Sequence, residues 1–131
     1  MENKVIFKIH DFECPYEVIT KTLDLIPTKA WLKGDKVDTI SNRIRSSSLW
    51  QIESDIPKEN PINEHISFMI GILSEKRSAI KLLTEKYECE FTIVSKCKKE
   101  IHYNFGAYLD SNALKLIAHL NLSVDIDIYF L

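Results

Sequence analysis

The chain is 131 residues long, with a formal net charge of −2 and an isoelectric point near 6.1. Hydrophobic residues make up 45% and charged residues 27%, so one domain of this length can bury a core without a metal or disulfide staple. The balance lacks the basic excess of a dedicated nucleic-acid binder, no stretch reaches the ~18 apolar residues that cross a membrane, and Cys14, Cys89 and Cys97 form neither a CxxC nor an even set for a disulfide framework.

Val5, Phe7 and Ile9 alternate with Ile6, Lys8 and His10, which predicts a strand over Lys4 to His10. Pro15 suits the opening of a helix that runs to about Leu25, turning Val18, Ile19, Leu23 and Ile26 inward until Pro27 stops it. Residues 28–47 show no period, as binding loops often do not. Leu49 to Ser54 predicts a strand with Trp50 and Ile52 on one face. Asn60 offers a cap and Pro61 a first turn for a helix whose stripe is Ile62, Ile66, Met69, Ile70 and Leu73. A helical pattern resumes over Lys76 to Tyr87, which leaves open one long helix or two.

Cys89 to Val94 and Ile101 to Tyr108 read as a hairpin turned by SKCKKE. Asp110 offers a cap for a last helix through Leu114, Ile117 and Leu120. The final strand, Val124 to Leu131, sets Val124, Ile126, Ile128 and Phe130 on one face and Asp125, Asp127 and Tyr129 on the other. The order β-α-β-α-β-β-α-β predicts an α+β domain with a mostly antiparallel sheet and helices packed on one face. Leu23-Asp24-Leu25 and Leu120-Asn121-Leu122 echo each other after strand and helix, as a ferredoxin-like duplication would.

No pattern of residues spells out a reaction. There is no GxGxxG, Walker loop, HExxH or GxSxG, and Gly34, Gly71 and Gly106 stand apart. Ser46 to Ser48 and Cys14 lack an activating partner in any recognisable signature. Asp125 and Asp127 place two carboxylates roughly 7 Å apart on one strand face. That could begin a Mg²⁺ or Mn²⁺ site for a metal-dependent enzyme, but a third acidic ligand is not placed, and the plainer reading is a charged sheet face. His65 reads as a hydrogen-bonded histidine near a helix start more readily than as a general base. Lys29 to Trp50 interleaves Trp31, Lys33, Lys36, Arg43, Arg45 and Trp50, a mixture that stacks bases, makes protein hot spots, or simply completes a core beside solvated cations.

Leu25-Ile26-Pro27-Thr28 followed by Trp31-Leu32-Lys33-Gly34-Asp35, then Arg43, Trp50, Glu64-His65 and Asp125-Ile126-Asp127-Ile128-Tyr129, together resemble a bacterial family catalogued as a domain of unknown function (number 4279). The resemblance spans nearly the whole chain and implies a small stand-alone bacterial protein. It supplies no catalytic residue and no cofactor to carry over.

The expected function is a non-enzymatic binding module, cytoplasmic, monomeric or homodimeric, with a protein partner. The specific form is an immunity protein that covers a basic toxin domain, an analogy with other small bacterial domains. Glu88, Glu90, Asp125, Asp127 and Tyr129 would meet the partner's basic cleft. Two alternatives stand beside it. One is a small-molecule or nucleotide pocket built from Trp31, Lys33, Arg43, Trp50 and His65. The other is the metal-dependent enzyme on Asp125 and Asp127.

Overall fold

A computed structural model describes residues 1–98 and 105–131. Among these residues nine elements follow one another: β1 (Glu2–His10), α1 (Tyr16–Leu23), β2 (Lys29–Trp31), β3 (Leu49–Glu53), α2 (Ile62–Glu75), α3 (Arg77–Thr84), β4 (Glu88–Cys97), α4 (Ser111–His119) and β5 (Ser123–Phe130). The strands form one sheet in the order β2-β3-β1-β4-β5. Three of its four pairings are antiparallel and the fourth, β4 with β5, is parallel. The domain is α+β with a mostly antiparallel sheet, as the patterning predicts.

Alternation decides which residues enter the core. Val5, Phe7 and Ile9 of β1 sit level with Ile93, Phe91 and Cys89 of β4, and Phe7 and Ile9 with Ile52 and Trp50 of β3. All these side chains join Ile19, Leu23, Ile66, Met69, Leu73, Ile80, Ile117 and Leu120 from the four helices in a single buried cluster. The helices therefore cover one face of the sheet. The other face carries Lys4, Ile6, Lys8 and His10 beside Glu90, Thr92 and Val94.

Both chain directions that turn off α1 and α4 use the same device. Asp24 and Asn121 adopt left-handed backbone with φ of 53° and 55°, a conformation that Asp and Asn tolerate better than other non-glycine residues. In each case the following leucine donates its N–H back to a carbonyl five residues earlier: Leu25 to Thr20 and Leu122 to Ile117. Leu23 and Leu120 plug the core just before the turn. The Leu-x-Leu echo is thus a shared helix stop. The two strand–helix–strand units are not copies, because β3 lies between β1 and β2 whereas β4 and β5 are direct neighbours.

The stop also shortens α1. It ends at Leu23, so Ile26 is exposed, as is Val18 on the outer side of the helix. The long helical pattern of residues 61–87 is two helices broken at Lys76, whose ψ of 16° departs from helical values. Asn60 makes no cap, since Pro61 occupies that position and the Asn60 carbonyl receives the Asn3 amide instead. Asp110 does cap α4, accepting from the Ala113 N–H at 2.7 Å. Residues 28–47 contain the short β2 and an isolated bridge between Lys36 and Ile44.

The expected hairpin is corrected. Part of its second strand, residues 101–104, lies outside the described residues, and 105–108 form no strand. β4 has no side left for such a partner: β1 pairs along Glu88 to Lys96 and β5 along Glu90 to Cys97. A parallel neighbour needs a long crossover, and the stretch containing α4 supplies it.

The helix-facing row of β1 should dominate stability. Phe7→Ala is expected to lower the unfolding free energy in urea by about 3–5 kcal/mol. Ile40→Ala, at a side chain 94% exposed, should change it by no more than about 0.5 kcal/mol. Equal losses at the two positions would contradict this account of the core.

Candidate functional site

The strand register separates the aromatic candidates. Ala30 lies opposite Trp50, and Trp31 opposite Leu49, so the two tryptophans project from opposite faces of the sheet. Trp50 is wholly buried among the helices, its indole N–H donating to Thr20 Oγ1 at 3.0 Å. Trp31 is half-buried. Its indole N–H donates to the Ser47 carbonyl at 3.1 Å, and the Arg45 guanidinium stacks 3.7 Å from its ring centroid. Lys33 and Arg43 are exposed. Trp31, Lys33, Arg43, Trp50 and His65 therefore do not converge on one pocket. The cation that meets an aromatic ring is Arg45, set over Trp31 by a turn in which Gly34 and Asp35 exchange backbone hydrogen bonds with Arg45.

His65 belongs to a buried relay. Its Nε2 lies 3.1 Å from the Pro57 carbonyl, which can only accept, so the proton sits on Nε2 and leaves Nδ1 as an acceptor. Ser54 Oγ, 2.6 Å from Nδ1, must then donate to it while accepting the Val5 N–H at 3.0 Å. The direction of these bonds is that of a nucleophile and its base. Every polar atom in the relay is nevertheless satisfied within the protein. The relay ties β1, the segment after β3, and α2 together. Burial pushes the His65 pKa down, against smaller opposing effects of the Pro57 hydrogen bond and the Glu64 charge.

Ser54 also lines a pocket of about 660 Å³ at one end of the sheet, with Leu25, Ile26, Ile52, Phe68 and Ile72 as apolar walls. Ion pairs stand at its rim, Lys4 with Glu53 at 2.7 Å and Lys58 with Glu2 at 3.1 Å. This pocket was not legible in the sequence, because it gathers residues from five separate segments. Cys89 offers no nucleophile of comparable setting: burial, with a smaller effect of Glu88, pushes its thiol up to about 12.

The acidic candidates do share a face. Thr92 lies beside Asp125, Val94 beside Asp127 and Lys96 beside Tyr129, so all three β5 residues join Glu88 and Glu90 on the side away from the helices. Glu90 is already engaged. Lys8 and His10 lie 3.8 Å and 3.7 Å from its carboxylate, and the Thr92 hydroxyl donates to it at 2.5 Å. Asp125 and Asp127 form no ion pair among the described residues. Among those residues no group of three or more His, Cys, Asp or Glu side chains could hold a metal, so the two aspartates have no third ligand there.

The other face of β5 is the least expected feature. Val124, Ile126, Ile128 and Phe130 point to the helix side, level with Phe91, Ile93, Ser95 and Cys97 of β4. Yet they are 39–65% exposed, and no β5 residue enters the core cluster. Among the described residues β5 is also an edge strand, with β4 as its one partner in the sheet. Sequence alternation located both rows correctly. It could not show that the helix layer stops short of the last strand.

The chain belongs to the family described as a domain of unknown function (DUF4279), which matches residues 1–131. No curated protein and no solved structure matches it.

The relay predicts a pH dependence. The folded-state pKa of His65 lies below that of a free imidazole, so the unfolded chain binds the extra proton first as the pH falls. The contribution of His65 to stability is complete above about pH 6.5 and is lost as pH drops through the lower folded-state value. Urea unfolding across this range should show wild-type stability falling towards acid more steeply than that of His65→Gln. A folded-state imidazole titrating above 6.5 by NMR would contradict the assignment.

Proposed function

We propose that the protein is a non-enzymatic binding module that engages a protein partner through β5. The observation that supports this is the row Val124, Ile126, Ile128 and Phe130, exposed at a sheet edge and backed by Asp125 and Asp127. A contiguous apolar row rimmed by charge is the usual mark of an interaction surface. The two aspartates favour a basic partner and would speed its approach. An immunity protein that covers a basic toxin domain is the specific form of this reading. It asks only for complementary contact and for no substrate turnover.

A second reading draws on the pocket beside Ser54. Its apolar walls and ion-paired rim suit a small molecule with an apolar body. Such a ligand site would lie at the end of the sheet, away from Trp31 and Trp50.

Ile126→Ser combined with Ile128→Ser should leave the fold intact, since neither side chain is in the core. Tagged wild-type protein recovered from its host should retain a partner that the double variant binds at least about tenfold more weakly, a loss typical of interface anchors. Cells producing that partner as a toxin should survive with the wild type and not with the variant. Equal retention by both proteins, or equal survival, would contradict the proposal.

A further inference from the structure

We infer that β5 receives its partner by strand addition, and that the incoming segment alternates apolar with basic residues. This rests on the binding reading above and specifies its mode and its partner.

The outer edge of a strand presents unpaired backbone N–H and C=O groups, a template for another strand. β5 pairs with β4 on one side and with no strand on the other among the described residues. A segment laid along that edge extends the strand period. Its side chains on the helix side lie opposite Val124, Ile126, Ile128 and Phe130, and those on the other side opposite Asp125, Asp127 and Tyr129. Apolar residues satisfy the first row. Lysine or arginine satisfies the second, because the two carboxylates have no ion pair among the described residues.

The same geometry rejects a second copy of the chain. Two β5 strands related by a two-fold axis must pair antiparallel, with each residue opposite one of the same face. The fullest overlaps are centred on Ile126 or on Asp127. The first sets Asp125 against Asp127 twice over, and the second sets Asp127 against itself. Like charges directly opposite one another destabilise strand pairing. Asp125 and Asp127 therefore exclude self-pairing and acidic strands while admitting a basic one, which is a selective use of charge at an exposed edge.

The test uses the full chain and three capped peptides. The first alternates valine with lysine, the second alternates valine with glutamate, and the third is the first with alternate backbone nitrogens methylated. Calorimetry at low salt should show binding of the lysine peptide, at least about tenfold weaker binding of the glutamate peptide, and loss of binding on methylation. Asp125→Lys with Asp127→Lys should reverse the preference between the first two, and Asp125→Asn with Asp127→Asn should narrow it. Binding of the lysine peptide that ignores methylation or the charge variants would overturn strand addition while leaving a basic-binding surface in place. Absence of binding by any peptide at millimolar concentration would overturn it too, and the binding reading would then stand or fall on recovery of a partner. Sedimentation showing a dimer that Ile126→Ser with Ile128→Ser disperses would assign the edge to a second copy and overturn the inference.

Discussion

Coverage of the sheet by helices is the constraint from which the rest of the molecule follows. Four helices lie over β3, β1 and β4, and their buried stripes meet Trp50, Ile52, Val5, Phe7, Ile9, Phe91 and Ile93. β5 is held instead by its backbone ladder to β4. Its helix-side row is only partly buried, although its residues are as apolar as those of the central strands. The hydrophobic effect scales with the area removed from water, so this row is an unrealised source of stabilisation of the kind that association supplies. Sheet proteins normally blunt such an edge with charge or cover it. Here the charge sits on one face and the apolar row on the other, which blunts the edge against some strands and not others.

Polar groups secure the segment that leads from β3 into α2. The segment between β3 and α2 carries few apolar residues that could anchor it. It is fixed by hydrogen bonds: Ser54 and His65 to each other, Val5 to Ser54, and the Asn3 N–H to the Lys58 carbonyl at 2.8 Å. Asn3 extends this network, receiving the Ser95 hydroxyl at 2.7 Å and donating to Asn60. Buried polar groups of this sort are costly unless all are satisfied. Their satisfaction explains why a buried histidine beside a serine is compatible with a structural role.

Local patterns in the sequence were reliable where neighbouring residues decide the outcome. The alternation of residues 124–131 assigns each β5 side chain to the face the register confirms, and Asp110 caps its helix as its position suggests. Pairings between distant segments were not legible. Nothing local in residues 88–97 distinguishes a hairpin partner from a parallel one reached through α4. The grouping of Trp31 with Trp50 failed for the same reason, since the face each occupies depends on the register between β2 and β3. The Ser54–His65 relay was half visible: His65 read as hydrogen-bonded near a helix start, but its partner depends on how residues 54–61 fold back. Arg45 rather than Arg43 meets Trp31 because the turn around Gly34 carries it there.

Among the described residues, β5 is paired on one side and bare on the other. Amide hydrogen exchange along Ser123–Phe130 reads this directly, because successive N–H groups of a strand point to alternate sides. A two-residue alternation is expected, with the amides directed at β4 exchanging as slowly as those of β1 and the intervening ones near the rate of an unstructured chain. Uniform protection along the whole strand would mean that the outer edge is already occupied, and would contradict it.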